Sequence, residues 1–170
     1  MIYKTLLATA SMLGAFMMLN SPALAASPPV YVHMNGANMF LENVVAVKPG
    51  QKVVFINEDT GEHTIIGYNP ATGTASKTFN GYVAGTKGPN DKIASYTISF
   101  PHTGIVDYYC SVHADLVKEP DGMTMPKVRK GVDGFGDPMA GIIIVTTDPH
   151  ILAENPKSSA TKILPDYFGG

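Results

Sequence analysis

From Val30 onward the chain is a succession of short β-rich runs, each closed by glycine, proline, asparagine or aspartate. The runs are Val30–Met34, Phe40–Val47, Lys52–Asn57, His63–Ile66, Ile93–Phe100, Ile105–Cys110 and Gly141–Thr147. Pro49-Gly50, Asp59-Thr60-Gly61 and Pro101-His102-Thr103-Gly104 are the clearest breaks between them. No helix-period stretch of useful length lies among them, so the pattern is that of an all-β sandwich or barrel. Seven strands suit a two-sheet Greek-key antiparallel β-sandwich. Two longer segments interrupt the scheme. Residues 67–92 are rich in glycine, with Thr78–Val83 as a short edge strand. Residues 114–138 hold four glycines, three prolines and closely mixed charges, and read as a solvated loop.

The first residues do not belong to this domain. Lys4 precedes an uncharged apolar run from Leu6 to Leu19 and then Ser21-Pro22-Ala23-Leu24-Ala25-Ala26. A positive start, a short apolar core and a small-x-small exit make a secretory signal peptide over 1–25, with export to the periplasm or an equivalent compartment. The domain is then expected over 26–147 and a polar tail over 148–170. The tail is expected to be ordered only if Ile163, Leu164, Tyr167 or Phe168 docks on the sandwich. Cleavage after Ala25 removes one of the 12 Lys and Arg and none of the 14 Asp and Glu, which leaves a net charge of about −3. So even a balance argues against a nucleic-acid partner. No long apolar run remains, so the mature chain is expected to have no membrane span.

Cys110 is the only cysteine, so no internal disulfide is available. A free thiol in an oxidising compartment is a liability unless something occupies it. Its neighbours suggest what does. In Tyr108-Tyr109-Cys110-Ser111-Val112-His113, strand alternation puts Val106, Tyr108 and Cys110 on one face, with the thiol ending the row. A loop turning just beyond returns His113 toward the same point. His63 opens a run after the Glu58-Asp59-Thr60-Gly61 turn and can reach that point from another strand. One thiolate, two imidazoles and a weak, distant thioether form the ligand set of a mononuclear copper electron-transfer site. Met139, directly before the last β-rich run, suits the fourth position. Met123 and Met125 remain open by order in the sequence.

The order His63…Tyr109-Cys110-x-x-His113…Met139-x-Gly141-x-Ile143-x-Val145 resembles the plastocyanin, amicyanin and pseudoazurin group of cupredoxins. So does Val47-Lys48-Pro49-Gly50-Gln51-Lys52-Val53-Val54-Phe55-Ile56-Asn57 ahead of His63-Thr64. The resemblance covers about residues 30–147. It implies a cupredoxin-like sandwich with copper ligands at His63, Cys110, His113 and Met139. It implies further that the Thr64 N–H bonds the Cys110 sulfur and that Asn57 ties the ligand loops together. One departure is large: the small members of that family place the methionine a few residues after the second histidine, whereas here Met139 follows His113 by 26 residues.

The implied function is that of a one-electron carrier rather than an enzyme. It would act as a monomer, docking transiently on a cytochrome or a copper oxidoreductase. The rivals are a copper chaperone or storage protein, and a centre with an open position for an exogenous ligand. His33, His102 and His150 have no partner at useful spacing and read as surface or strand histidines. The charges of the insertion are balanced, with Lys118, Lys127, Arg129 and Lys130 against Asp115, Glu119, Asp121, Asp133 and Asp137. Because the insertion emerges beside His113, it is a candidate to shield the centre or dock a partner.

Overall fold

A computed structural model describes residues 27–88, 91–132, 137–156 and 160. The proposed signal peptide and the apolar residues near the C-terminus therefore lie outside the described residues. Eleven strands and one short helix occur among the residues described. A four-stranded sheet runs in the order β2 (Met39–Phe40), β1 (Val30–Asn35), β4 (Lys52–Asn57), β7 (Ala94–Ser99). A five-stranded sheet runs in the order β3 (Val44–Val47), β11 (Ala140–Val145), β8 (Gly104–Tyr109), β5 (His63–Tyr68), β6 (Ala75–Val83). The remaining pair, β9 (Ala114–Lys118) and β10 (Thr124–Val128), forms a hairpin of its own.

The connections β4 to β5, β6 to β7 and β7 to β8 each pass from one sheet to the other, the Greek-key manner of joining strands. The sandwich is therefore all-β, as the punctuation predicts, but its sheets are mixed rather than purely antiparallel. β1 lies parallel to β4, and β3 lies parallel to β11.

Alternation fills the space between the sheets. Val32, Phe55, Ile65, Phe79, Tyr108 and Ile143 are buried in one continuous core. Phe40 and Phe55 meet the Tyr108 ring edge-on, with centroids at 4.9 and 5.3 Å. Such edge-to-face packing suits the positive rim and negative face of the rings.

Four sequence expectations need correction. The run Phe40–Val47 is not one strand: it breaks at 41–43, and its halves join different sheets. The break turns the Glu42 carboxylate inward, where it accepts the His33 backbone N–H at 2.8 Å and lies 3.1 Å from His33 Nδ1. His33 is accordingly the strand histidine of the two alternatives, but it is buried and has a carboxylate partner. In 67–92, β5 continues to Tyr68 and the edge strand β6 is nine residues long, because Phe79, Gly81 and Val83 alternate into the sandwich.

The fourth correction concerns 114–138. Ala114, Thr124 and Pro126 are buried on the inner face of the β9–β10 hairpin. Lys127–Glu119 and Arg129–Asp115 pair at 2.9 and 2.7 Å. The segment is thus an ordered hairpin carrying exposed ion pairs, not an unstructured loop. After the last strand, α1 (Pro149–Ala153) is capped by Asp148, whose side chain accepts the His150 N–H. Asn155 then hydrogen-bonds both backbone groups of Ala46. That contact ties the start of the tail to β3. No helix among the described residues is long and apolar enough to cross a membrane.

Candidate metal centre

Several strand ends meet at one end of the sandwich. β4 ends at Asn57, β5 begins at His63 opposite Val83 of β6, and β8 ends at Tyr109 opposite Ala140 of β11. The Cys110 N–H donates to the Met139 carbonyl at 2.9 Å, so the first residue past β8 remains tied to β11. Tyr108 and Cys110 are both fully buried, as the inward row requires.

A tight turn then reverses the chain. The N–H groups of His113 and Ala114 both donate to the Cys110 carbonyl, at 3.2 and 2.9 Å. This turn returns the His113 ring to the thiol, with Nδ1 at 3.4 Å from Sγ. His63 approaches from β5, with Nδ1 at 3.8 Å from the same sulfur. The ligand atoms of His63, Cys110 and His113 all lie within 4.8 Å of one another, and the two imidazole centroids are 4.9 Å apart. His63 and Cys110 are buried, whereas His113 is half-buried.

The sulfur is held from a further side. The Thr64 N–H donates to it at 3.3 Å, and the Thr64 hydroxyl lies 3.7 Å away. Burial works against ionisation of Cys110, but hydrogen bonds from His63, the Thr64 N–H and His113 outweigh it and bring the thiol down to about 6. Burial likewise disfavours a charged His63 ring, yet the Asp59 carboxylate and the Cys110 sulfur raise its affinity for a proton. Asp59 is itself held at about 2, chiefly by its hydrogen bond to His63.

Asn57 joins the surrounding loops. Its side-chain nitrogen faces the carbonyls of Gly61 at 2.8 Å and Ala84 at 3.0 Å, and its side-chain oxygen accepts the Asp59 N–H at 2.9 Å. Asn57 is fully buried, so the amide is committed to these partners.

Among the methionines considered for the fourth position, Met139 is 1% exposed, whereas Met123 and Met125 are 40% and 50% exposed on the hairpin. The donor set suits a soft or borderline metal. A thiol with a lowered pKa is a ready thiolate ligand, and imidazole nitrogen binds both copper states. Sequence reasoning missed Asp59, whose carboxylate lies 3.1 Å from His63 Nε2. The signal was its position four residues before His63, which read only as turn punctuation.

No family model and no curated protein matches the chain. Among solved structures it is similar to amicyanin from Paracoccus versutus, at 20% identity over 71% of this chain and 83% of that one, with a TM-score of 0.42. It is similar also to a purple cupredoxin from Nitrosopumilus maritimus, at 17% identity over 69% of this chain and 99% of that one, with a TM-score of 0.44. A reduced Cu(I) form of an amicyanin variant matches at 18% identity over 73% of this chain and 85% of that one, with a TM-score of 0.43. What the described residues show is a two-sheet β-sandwich with a His–Cys–His cluster where its strand ends meet.

Proposed function

We propose that the chain binds one copper ion through His63, Cys110, His113 and Met139 and carries single electrons between redox proteins outside the cytoplasm. The supporting observation is the convergence of one buried thiol and two imidazole nitrogens within 4.8 Å at one end of the sandwich. A bound copper ion would supply reversible one-electron chemistry. Cys110 contributes the soft, electron-rich ligand, and the Thr64 N–H holds its sulfur at 3.3 Å. Met139 is preferred to Met123 and Met125 because it is buried and its backbone is tied to Cys110. His113 is the ligand nearest solvent and therefore the exit for the electron. The Arg129 N–H donates to the His113 carbonyl at 3.0 Å, so the base of the hairpin stands beside that exit. A redox partner docks there through a small, transient contact with the monomer.

The test is the visible absorption and electron paramagnetic resonance of residues 26–170 with one equivalent of Cu(II), beside Met139→Ala. The expected result is an intense thiolate-to-copper band with a narrow parallel hyperfine splitting, both altered by the substitution. An intense band indifferent to Met139→Ala would keep the trio and move the fourth ligand elsewhere. A weak band with an ordinary tetragonal copper signal would overturn the electron-carrier reading in favour of copper transport or storage.

A further inference from the structure

The side of His63 away from Cys110 is occupied by Asp59. Nδ1 faces the sulfur at 3.8 Å, and Nε2 lies 3.1 Å from Asp59 Oδ2. The ring is fully buried and the carboxylate is 12% exposed, so little water competes for the contact. A carboxylate accepts only, so the proton of a neutral His63 ring is placed on Nε2 and the lone pair on Nδ1.

Asp59 is not a mobile surface acid that happens to touch the ring. Its N–H donates to the Asn57 side chain at 2.9 Å, and its carbonyl accepts the Thr86 N–H at 2.8 Å. The Thr86 hydroxyl donates to the Asn57 carbonyl at 3.2 Å. Gly85 packs directly on the carbonyl of Thr60, where any Cβ would overlap it. The turn before β5 and the segment after β6 therefore clamp each other, and the carboxylate is presented to His63 from a fixed backbone.

We propose that Asp59 is a positioning residue of the metal centre, fixing His63 with Nδ1 toward the metal and biasing the centre toward the more highly charged metal state. This rests on the copper reading above. One thiolate and two neutral imidazoles leave one positive charge of a divalent ion uncompensated. The Asp59 carboxylate cancels that charge, whereas beside a monovalent ion it leaves an excess of negative charge. A carboxylate behind a ligating histidine also raises the basicity of the ring, which again favours the divalent ion. The chain is thereby tuned as a comparatively strong one-electron donor.

The experiment compares wild type, Asp59→Asn and Asp59→Ala as residues 26–170. Asp59→Asn keeps an acceptor for Nε2–H and removes only the charge. Its absorption spectrum should stay close to wild type while its affinity for Cu(II) relative to Cu(I) falls about tenfold, a rise of about 59 mV in the potential. Asp59→Ala removes the acceptor as well and should weaken Cu(II) binding about 10–100-fold. In the zinc-substituted protein, nitrogen-15 NMR should show a protected His63 Nε2–H in wild type and Asp59→Asn, lost in Asp59→Ala. Wild-type potentials in both variants, with Nε2–H still protected in Asp59→Ala, would overturn the proposal. A wild-type protein with no thiolate-to-copper band would instead defeat the copper reading, and the zinc spectra would still decide whether Asp59 orients His63.

Discussion

The backbone N–H of Thr64 donates to the sulfur of Cys110 at 3.3 Å, joining the start of β5 to the end of β8 across 46 residues of sequence. The Thr64 side chain makes the same junction separately. Its hydroxyl accepts the Ser111 N–H at 2.7 Å and lies 3.0 Å from the Ser111 hydroxyl. Thr64→Val keeps the shape and the backbone N–H but strands the Ser111 N–H in a part-buried position. Urea unfolding of the metal-free protein should show a loss of about 1–3 kcal/mol. The thiolate band of the copper-loaded protein should persist, because the N–H to sulfur is retained. An unchanged urea midpoint would show that the hydroxyl does not hold the junction.

Asn57 should be the most sensitive polar position near the centre. Asn57→Ala leaves the Gly61 and Ala84 carbonyls and the Asp59 N–H without their side-chain partner in a part-buried site. A buried group left unsatisfied costs about 1–3 kcal/mol, and water reaches some of these, so the loss should be about 1–3 kcal/mol in denaturant unfolding. Asn57→Asp should do no better. It keeps the acceptor for Asp59 but turns a buried anionic oxygen toward carbonyls that need a donor. Wild-type stability in Asn57→Asp would show that the donated bonds contribute nothing.

The parts of this molecule legible in its sequence are those governed by period-two alternation. Tyr108 and Cys110 face inward together because nothing in β8 interrupts the pleat, and the turn to His113 needs only four residues. Alternation says nothing about partners, which is why β1 beside β4 and β3 beside β11 could not be read as parallel pairs. Glycine and proline mislead for a related reason. Gly67 lies inside β5 and Pro126 inside β10, on an edge of the hairpin, yet both look like punctuation. Asp59 and Glu42 escaped notice because a carboxylate in a turn or strand break is usually solvated. Only the folded chain shows that each has a buried histidine in front of it.

The tip of the hairpin is fastened to the turn between β5 and β6. The Thr124 N–H donates to the Pro70 carbonyl at 2.7 Å, and Gly73 sits under the Thr124 side chain with φ of +70°. A Cβ on residue 73 would lie 2.9 Å from the Thr124 hydroxyl oxygen. Gly73→Ala therefore meets both an unfavourable backbone conformation and a clash that lifts the hairpin. We expect a loss of about 1–2 kcal/mol, together with faster hydrogen exchange at the amides of 115–127. A loss of stability without faster exchange would show that the hairpin is held by its base at Arg129 and not by its tip.

Alkaline stability should depend on the outer face of β5 and β8. Burial, assisted by the Asp107 carboxylate, pushes the Tyr68 hydroxyl up to about 12, and burial raises Asp107 as well. In the unfolded chain Tyr68 ionises near the ordinary tyrosine value of about 10. The unfolded state thus loses its proton first as pH rises, and stability present below about pH 10 declines as pH climbs toward 12. Ultraviolet difference titration should resolve a late tyrosinate step that is absent from Tyr68→Phe. The same step should move to lower pH in Asp107→Asn, because a neighbouring negative charge no longer opposes ionisation. Tyr108, fully buried, should ionise only as the protein unfolds. A Tyr68 step that stays in place in Asp107→Asn would show that burial alone sets it.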